Sequence, residues 1–274
     1  MRAPLARKEL SLRVNMGTLA DRRRSQILAL LDNQRSLRTG DLSAQLGAPE
    51  ATLRKDLRLL AELGLLKLLS DGAAAIPHYR LSRERSARME LNREKKERIG
   101  QAAAGLIRAG DSVILDAGTT PLQVASHICS DLRVSGALTV YTSSLKIFRE
   151  IGACPGIRML LLGGIYLHEY ESLAGPQTVD ILKDIHADKV FLGADGITIS
   201  NGVTTADILK ADVDRYMLQA SQEVIVVADS SKIGVIGLVT LLQLEQVDRL
   251  VTDQDAPPDF VELATNLGVE VILA

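Results

Sequence analysis

An α/β chain, with a small helical front domain and a larger parallel-sheet domain behind it, is predicted by three observations. Residues 38–72 hold two short amphipathic stretches separated by a glycine and followed by a hairpin signal. From residue 112 onward, short apolar runs rich in Val, Ile and Leu alternate with helical stretches, as expected of strands buried on both faces. The charge is also divided: residues 1–80 hold 14 Lys+Arg against 8 Asp+Glu, yet the whole chain has a formal net charge of −2. At 274 residues and 46% hydrophobic content, there is enough chain for a small domain plus one sizeable core.

In the front domain, Asp41 to Leu46 predicts a first helix, and Gly47 supplies the sharp bend after it. Pro49 is suited to open a second helix, because its missing N–H is no loss in a first turn. Leu53, Leu57 and Leu60 then fall on one helical stripe, which leaves Arg54, Lys55 and Arg58 on another. Thr52 lies in that first turn, where a hydroxyl and free N–H groups can hold a phosphate. Gly64 stops the helix, and LLKLLSDGAAA reads as a hairpin around Asp71-Gly72, with Lys67 as its cation. A basic amphipathic helix alone is more often a solvated face; this order of parts is that of a winged helix-turn-helix over residues 16–77. It points to double-stranded DNA, to be met by Thr52, Arg54, Lys55, Arg58 and Lys67.

Residues 78–94 are charge-dense without a clean apolar stripe and predict a linker. Residues 1–15, with Arg2, Arg7, Lys8 and Arg13, read either as a basic arm or as an extension upstream of a start at Met16. Cys129 and Cys154 lack metal-ligand spacing and are expected to be reduced core residues of a cytosolic protein. Without an apolar run of roughly 18 residues or a leader-like start, the expectation is a cytoplasmic chain that neither spans a membrane nor is secreted. His78, His127, His168 and His186 lie far apart, so no metal or other cofactor is expected.

The second domain, residues 95–274, opens with a helix carrying Ile99, Ala102, Ala103, Leu106 and Ile107 on one face. Strands are expected at 112–116, 137–141, 158–164, 189–196, 223–232, 249–253 and 269–273, with helices from Leu122, from Leu145 and around 259–267. The pattern predicts a Rossmann-like parallel sheet, in which ligands sit at the carboxyl ends of strands. Those ends carry small polar groups: Asp116 with Gly118-Thr119-Thr120, then Thr142-Ser143-Ser144, Gly163-Gly164, and Asp229-Ser230-Ser231-Lys232. Gly118 allows close approach to an anion, Thr119 and Thr120 add hydroxyls, and the helix beyond them offers its N-terminus. A small anionic ligand fits this convergence. Lys232 would pair its charge, and Asp116 and Asp195 would accept hydrogen bonds from sugar hydroxyls. Asp116 and Asp229 also read as plain helix caps, and Lys232 as a solvated surface lysine.

From about residue 20 the chain resembles the DeoR family of bacterial transcriptional regulators in both domains. Thr52-Leu53-Arg54-Lys55-Asp56-Leu57 is similar to the family's T-[IL]-R-[RK]-D-L recognition helix, followed by Gly64 and Gly72-Ala73. Lys96-Glu97-Arg98-Ile99, the strand-end groups above and Phe191-Leu192-Gly193-Ala194-Asp195-Gly196 fall in the family's order. The resemblance implies a regulator of a carbohydrate-utilisation operon, a homo-oligomer (dimer or tetramer), whose second domain is similar to ribose-5-phosphate isomerase and senses a phosphorylated sugar or related metabolite.

Departures from the family pattern bear on both ends. Ala48-Pro49 replaces Val-Ser, and the wing reads Leu68, Ser70, Asp71 and Gly72 where Arg and His-Gly-Gly are usual. Ser143 replaces an Asn, and Asp214 stands where a basic residue is common, which implies an effector other than a simple sugar phosphate. An isomerase-like enzyme and a DNA-binding protein with a degenerate sensor are the competing readings. Asp195 alone resembles a catalytic base, so no catalytic residues are assigned.

Overall fold

The computed structural model describes residues 19–34, 36–62, 66–75, 89–135, 138–168 and 170–274. The chain divides into two compact units, Met1–Glu84 and Arg85–Ala274. The helix stop read at Gly64, the arm 1–15, His78 and most of 78–94 lie outside the described residues.

The first unit contains helices α1 (Leu19–Asn33), α2 (Thr39–Leu46) and α3 (Glu50–Glu62). Its strands β1 (Ser36–Arg38), β2 (Leu66–Leu69) and β3 (Gly72–Ala75) form an antiparallel sheet of order β1-β3-β2. Ile27, Leu31, Leu42, Leu53, Leu57, Leu60 and Leu66 bury together, each contributing about 2 kcal/mol of apolar transfer. Gly47 adopts φ 61° and donates its N–H to Ser43, which closes α2 as expected.

Two details differ from the sequence reading. The hairpin loop is Ser70-Asp71, and Gly72 is already paired, with Leu69 on β2 and with Arg38 on β1. Its glycine is required by close approach: a Cβ there would lie 2.1 Å from the Leu37 carbonyl oxygen. Strand β1 was not expected, because three residues are too few to show a period.

The second unit begins with α4 (Arg93–Ala104), ahead of the change of character read at Lys95, and Met89 packs on its core. A seven-stranded parallel sheet follows, built from β4 (Ser112–Leu115), β5 (Leu138–Thr142), β6 (Ile157–Leu161), β9 (Ala187–Gly193), β12 (Ser221–Val227), β14 (Arg249–Thr252) and β15 (Glu270–Leu273). Its order is β15-β14-β12-β9-β4-β5-β6. The chain starts in the middle at β4, runs outward to β6, then crosses back to β9 on the other side of β4. This is the doubly wound Rossmann arrangement, with its switch point between β4 and β9. Val113, Ile114 and Leu115 are each 0% exposed, as strands covered on both faces must be.

Helices α5 (Thr119–Ser126), α6 (Ser130–Ser135), α7 (Leu145–Ile151), α8 (Pro176–Leu182), α9 (Ile208–Gln219) and α10 (Pro258–Asn266) complete the unit. Helix α5 starts at Thr119 instead of Leu122, because Gly118 accepts the N–H of Leu122 and Pro121 sits in the first turn at no cost. A hairpin of β7 (Ile165–Leu167) and β8 (Ser172–Ala174) was not foreseen. Nor was the antiparallel set β10 (Gly196–Thr198), β11 (Gly202–Thr205) and β13 (Val239–Leu242). Cys129, expected in the core, is exposed in the turn before α6, and Cys154 is only partly buried.

Candidate functional site

On α3 the burial of Leu53, Asp56, Leu57 and Leu60 turns Glu50, Ala51, Arg54, Lys55 and Arg58 outward as one stripe. Lys67 is exposed on β2, and Thr52 is half-buried. The backbone N–H of Thr52 is not free for a phosphate, since it donates to the Pro49 carbonyl at 2.9 Å; only the hydroxyl is left for that role. Asp56 is 3% exposed and is gripped through both oxygens, by Arg23 at 2.7 Å and Arg24 at 2.8 Å. That clamp anchors the inner face of α3 to α1. Arg54 Nη2 lies 3.2 Å from Glu50 and 3.7 Å from Asp71 at the tip of the β2–β3 hairpin.

In the second unit, a cleft open to solvent lies at the carboxyl ends of β4, β9 and β12 and the start of α5. The switch point thus carries the cavity. Asp116, Gly118, Thr119, Thr120, Ser144, Asp195 and Lys232 all line it, although they come from widely separated stretches of chain. Thr142, Ser143, Gly163 and Gly164 are not in the wall. The Thr142 hydroxyl is spent on the Leu115 carbonyl at 2.7 Å and on the N–H of Ser144, while Ser143 is buried and its carbonyl takes the N–H of Leu173. Gly163 accepts from Thr178, and Gly164, at φ 149°, would place a Cβ 2.4 Å from the same hydroxyl. Of these four, Ser143 ties the strand end to β8, while Gly163 and Gly164 allow the chain to pass close to Thr178 on α8.

Asp116 lines the cleft, yet its carboxylate is already engaged. Both its oxygens lie 2.9 Å from Lys210 Nζ, and Oδ2 also takes the N–H of Gly193 at 3.0 Å. Lys210 donates onward to Asp214 at 2.6 Å, and all three groups are buried. Burial works against the Lys210 ammonium, but Asp116 and Asp214 outweigh it and hold its pKa above the usual lysine range. Burial, reinforced by Asp116, pushes the Asp214 carboxyl well above the usual carboxylate range. Asp214 therefore belongs to a buried triad and is not among the residues that line the cleft.

The remaining polar groups divide into engaged and available. Asp229 is buried, caps the turn Ser230–Lys232 through the N–H of Ser231, and accepts from Asn92 at 2.8 Å. Asp195 takes the Thr205 hydroxyl at 3.2 Å and the Ala206 N–H at 2.9 Å, both through Oδ2. Lys146 is paired with Glu171 at 3.3 Å, and Lys96 donates to the Leu91 carbonyl at 2.6 Å. Lys232 is half-buried and makes no ion pair among the described residues. No group of three or more His, Cys, Asp or Glu is placed to hold a metal among the described residues, and no described helix is long and apolar enough to cross a membrane.

The DeoR C-terminal sensor domain matches residues 91–254, and the DeoR-like helix-turn-helix domain matches residues 23–78. The chain belongs to the DeoR family. It is 34% identical to the transcriptional repressor AccR of Agrobacterium fabrum, over 84% of this chain and 88% of AccR. It is 27% identical to the glycerol-3-phosphate regulon repressor of Escherichia coli K12, over 92% and 98% of the two chains. Ribose 5-phosphate isomerase A of Methanocaldococcus jannaschii aligns with a TM-score of 0.38 at 15% identity, over 52% of this chain and 55% of that one.

In this DeoR-family chain, sequence reasoning passed over Lys96, Lys146 and Lys210 as cleft residues. Lys210 had a signal, because Lys-x-x-x-Asp places Lys210 and Asp214 on one helix face. Lys146 had none: its place depends on the fold of the β7–β8 hairpin, which brings Glu171 to it.

Proposed function

We propose that this DeoR-family regulator represses a carbohydrate-utilisation operon and that a phosphorylated sugar or related anionic metabolite, bound in the switch-point cleft, releases it from DNA. The winged helix-turn-helix over 16–77 binds the operator, 78–94 connects, and 95–274 senses. One observation carries the effector reading: the N-terminus of α5, with Thr119 and Thr120, faces the same cleft as Lys232, a cation without a partner there. Backbone N–H groups, hydroxyls and one ammonium together suit a phosphate dianion. Asp195, engaged through one oxygen, supplies an acceptor for sugar hydroxyls.

The same chemistry argues against turnover. Asp116 is locked by Lys210, and Asp229 is committed as a cap, so the cleft holds a ligand without offering a set of free acids and bases. A relative named for glycerol 3-phosphate supports a phosphorylated metabolite as the signal. The regulator acts in the cytoplasm as a homo-oligomer, and exposed Ile208, Leu209, Ile236 and Leu238 offer apolar surface that association would cover.

A thermal-shift screen of the full chain against phosphorylated three- to six-carbon sugars tests this. A ligand at about 100 times its Kd adds roughly 2.7 kcal/mol to the folded state and raises Tm measurably. A hit must also change the binding of operator DNA; binding without that change would defeat the regulatory reading. Isomerisation of the hit that disappears in Asp195→Asn would instead make the protein an enzyme.

A further inference from the structure

Arg54 differs from the other cations of the DNA face in what surrounds it. Glu50, one turn earlier on α3, lies 3.2 Å from Nη2, and Asp71, at the hairpin tip, lies 3.7 Å from the same nitrogen. Lys55, Arg58 and Lys67 are exposed and make no ion pair among the described residues. Asp71 is held by its backbone, since its carbonyl accepts the N–H of Thr39 and the next residue, Gly72, is pressed against Leu37.

Two carboxylates beside a cation that serves only to grip phosphate are counterproductive, because they repel the phosphate and cancel part of the attraction. For a cation that reads a base edge they have the opposite value. Glu50 takes one hydrogen of Nη2, while Asp71 at 3.7 Å attracts the guanidinium without a hydrogen bond. Together they restrict its rotamers and leave the second Nη2 hydrogen and Nη1 as a pair of donors for guanine O6 and N7, and a carboxylate can itself accept from cytosine N4. An exposed ion pair adds little stability, so its worth here lies in orientation.

We propose that Asp71 and Glu50 hold Arg54 for reading a G·C pair. The hairpin tip then sets sequence discrimination, while Lys55, Arg58 and Lys67 supply affinity for the phosphate backbone. The usual division, in which a wing adds phosphate contacts, is altered by an acidic residue at its tip.

In vitro selection from random duplexes with the full chain, followed by fluorescence anisotropy, tests the assignment. Affinity is compared on the selected duplex, on that duplex with the G·C pair changed to A·T, and on an unrelated duplex. A good bidentate contact discriminates by roughly 5- to 150-fold. Asp71→Asn should reduce that ratio by at least about fivefold and tighten binding to the unrelated duplex, because a negative charge leaves the interface. Glu50→Gln should act in the same direction. Lys55→Ala should weaken binding to all three duplexes by a common factor and lower the salt dependence. The assignment is overturned if the wild type selects no G·C pair that depends on Arg54. It also fails if Asp71→Asn leaves the ratio unchanged or weakens all three duplexes equally.

Discussion

Lys210, in the wall of the switch-point cleft, donates to Asp214 over 2.6 Å, one turn along α9, and each side chain is less than a tenth exposed. The ammonium is therefore consumed by the protein. With Asp116 as its second partner, it faces two carboxylates and has no charge to offer an anion. What Lys210 does is fix Asp116 at the end of β4, and with it the turn that leads into α5.

Removing this cation should be costly to the fold. Lys210→Met leaves two carboxylates facing each other out of water, and breaking a buried pair in this way costs about 3–5 kcal/mol. Asp214→Asn should cost much less, since Lys210 stays paired with Asp116 and no buried charge is left without an opposite one. Urea denaturation of both variants gives the comparison. Equal losses would mean that the triad is not organised around Lys210.

The pH dependence has a separate source. Asp253 is fully buried; burial opposes its charge, but Lys95 at 2.9 Å and the N–H and hydroxyl of Ser230 prevail and hold its pKa below the usual carboxylate range. A depressed folded pKa gives stability that is complete above the unfolded value of about 3.8 and is lost as pH falls through the lower folded value. Asp253→Asn should accordingly be less stable than wild type at neutral pH, with the gap narrowing as pH falls below about 4. Thermal melts across that window decide it; a constant gap would assign the loss to packing.

Gly72→Ala tests the close approach of β1 to β3. A Cβ would sit 2.1 Å from the Leu37 oxygen, and the residue holds φ 148°, so the strands must part or the backbone must change. Strain of this kind is of order 1–3 kcal/mol before any sheet pairing is lost. The variant should lose DNA binding while its second unit keeps its ligand-induced thermal shift. Unimpaired DNA binding would show that the sheet edge yields easily.

What was legible in the sequence follows from how each element is stabilised. Helix α3 could be read because one apolar stripe buries it, and the parallel strands could be read because burial on both faces leaves unbroken runs such as Val113-Ile114-Leu115. The gathering of Gly118, Asp195 and Lys232 into one cleft could be anticipated from the rule for strand ends. The β7–β8 hairpin could not, because three-residue strands carry no period and Gly163-Gly164 reads equally as a ligand loop. The partner of Asp116 could not be read for a related reason: a carboxylate at a strand end looks the same whether it faces a sugar hydroxyl or Lys210, which lies on a helix much later in the chain.

If Lys232 is the cation that meets the effector's anionic group, Lys232→Ala should separate sensing from DNA binding. Lys232 lies in the short turn Ser230–Lys232, whose shape is set by Asp229 and by Asp253, so truncating its side chain leaves that turn intact. A charge-assisted contact contributes about 1.5–3 kcal/mol, which corresponds to a loss of roughly 10- to 150-fold in effector affinity. Operator affinity without effector should stay as in wild type, because linkage connects the sites only through ligand that binds the two states differently. Gel-shift titrations of wild type and Lys232→Ala with the strongest hit of the thermal-shift screen measure both quantities. An unchanged midpoint in the variant would place the anionic group elsewhere in the cleft, with Lys96 and Lys146 as the next cations to test.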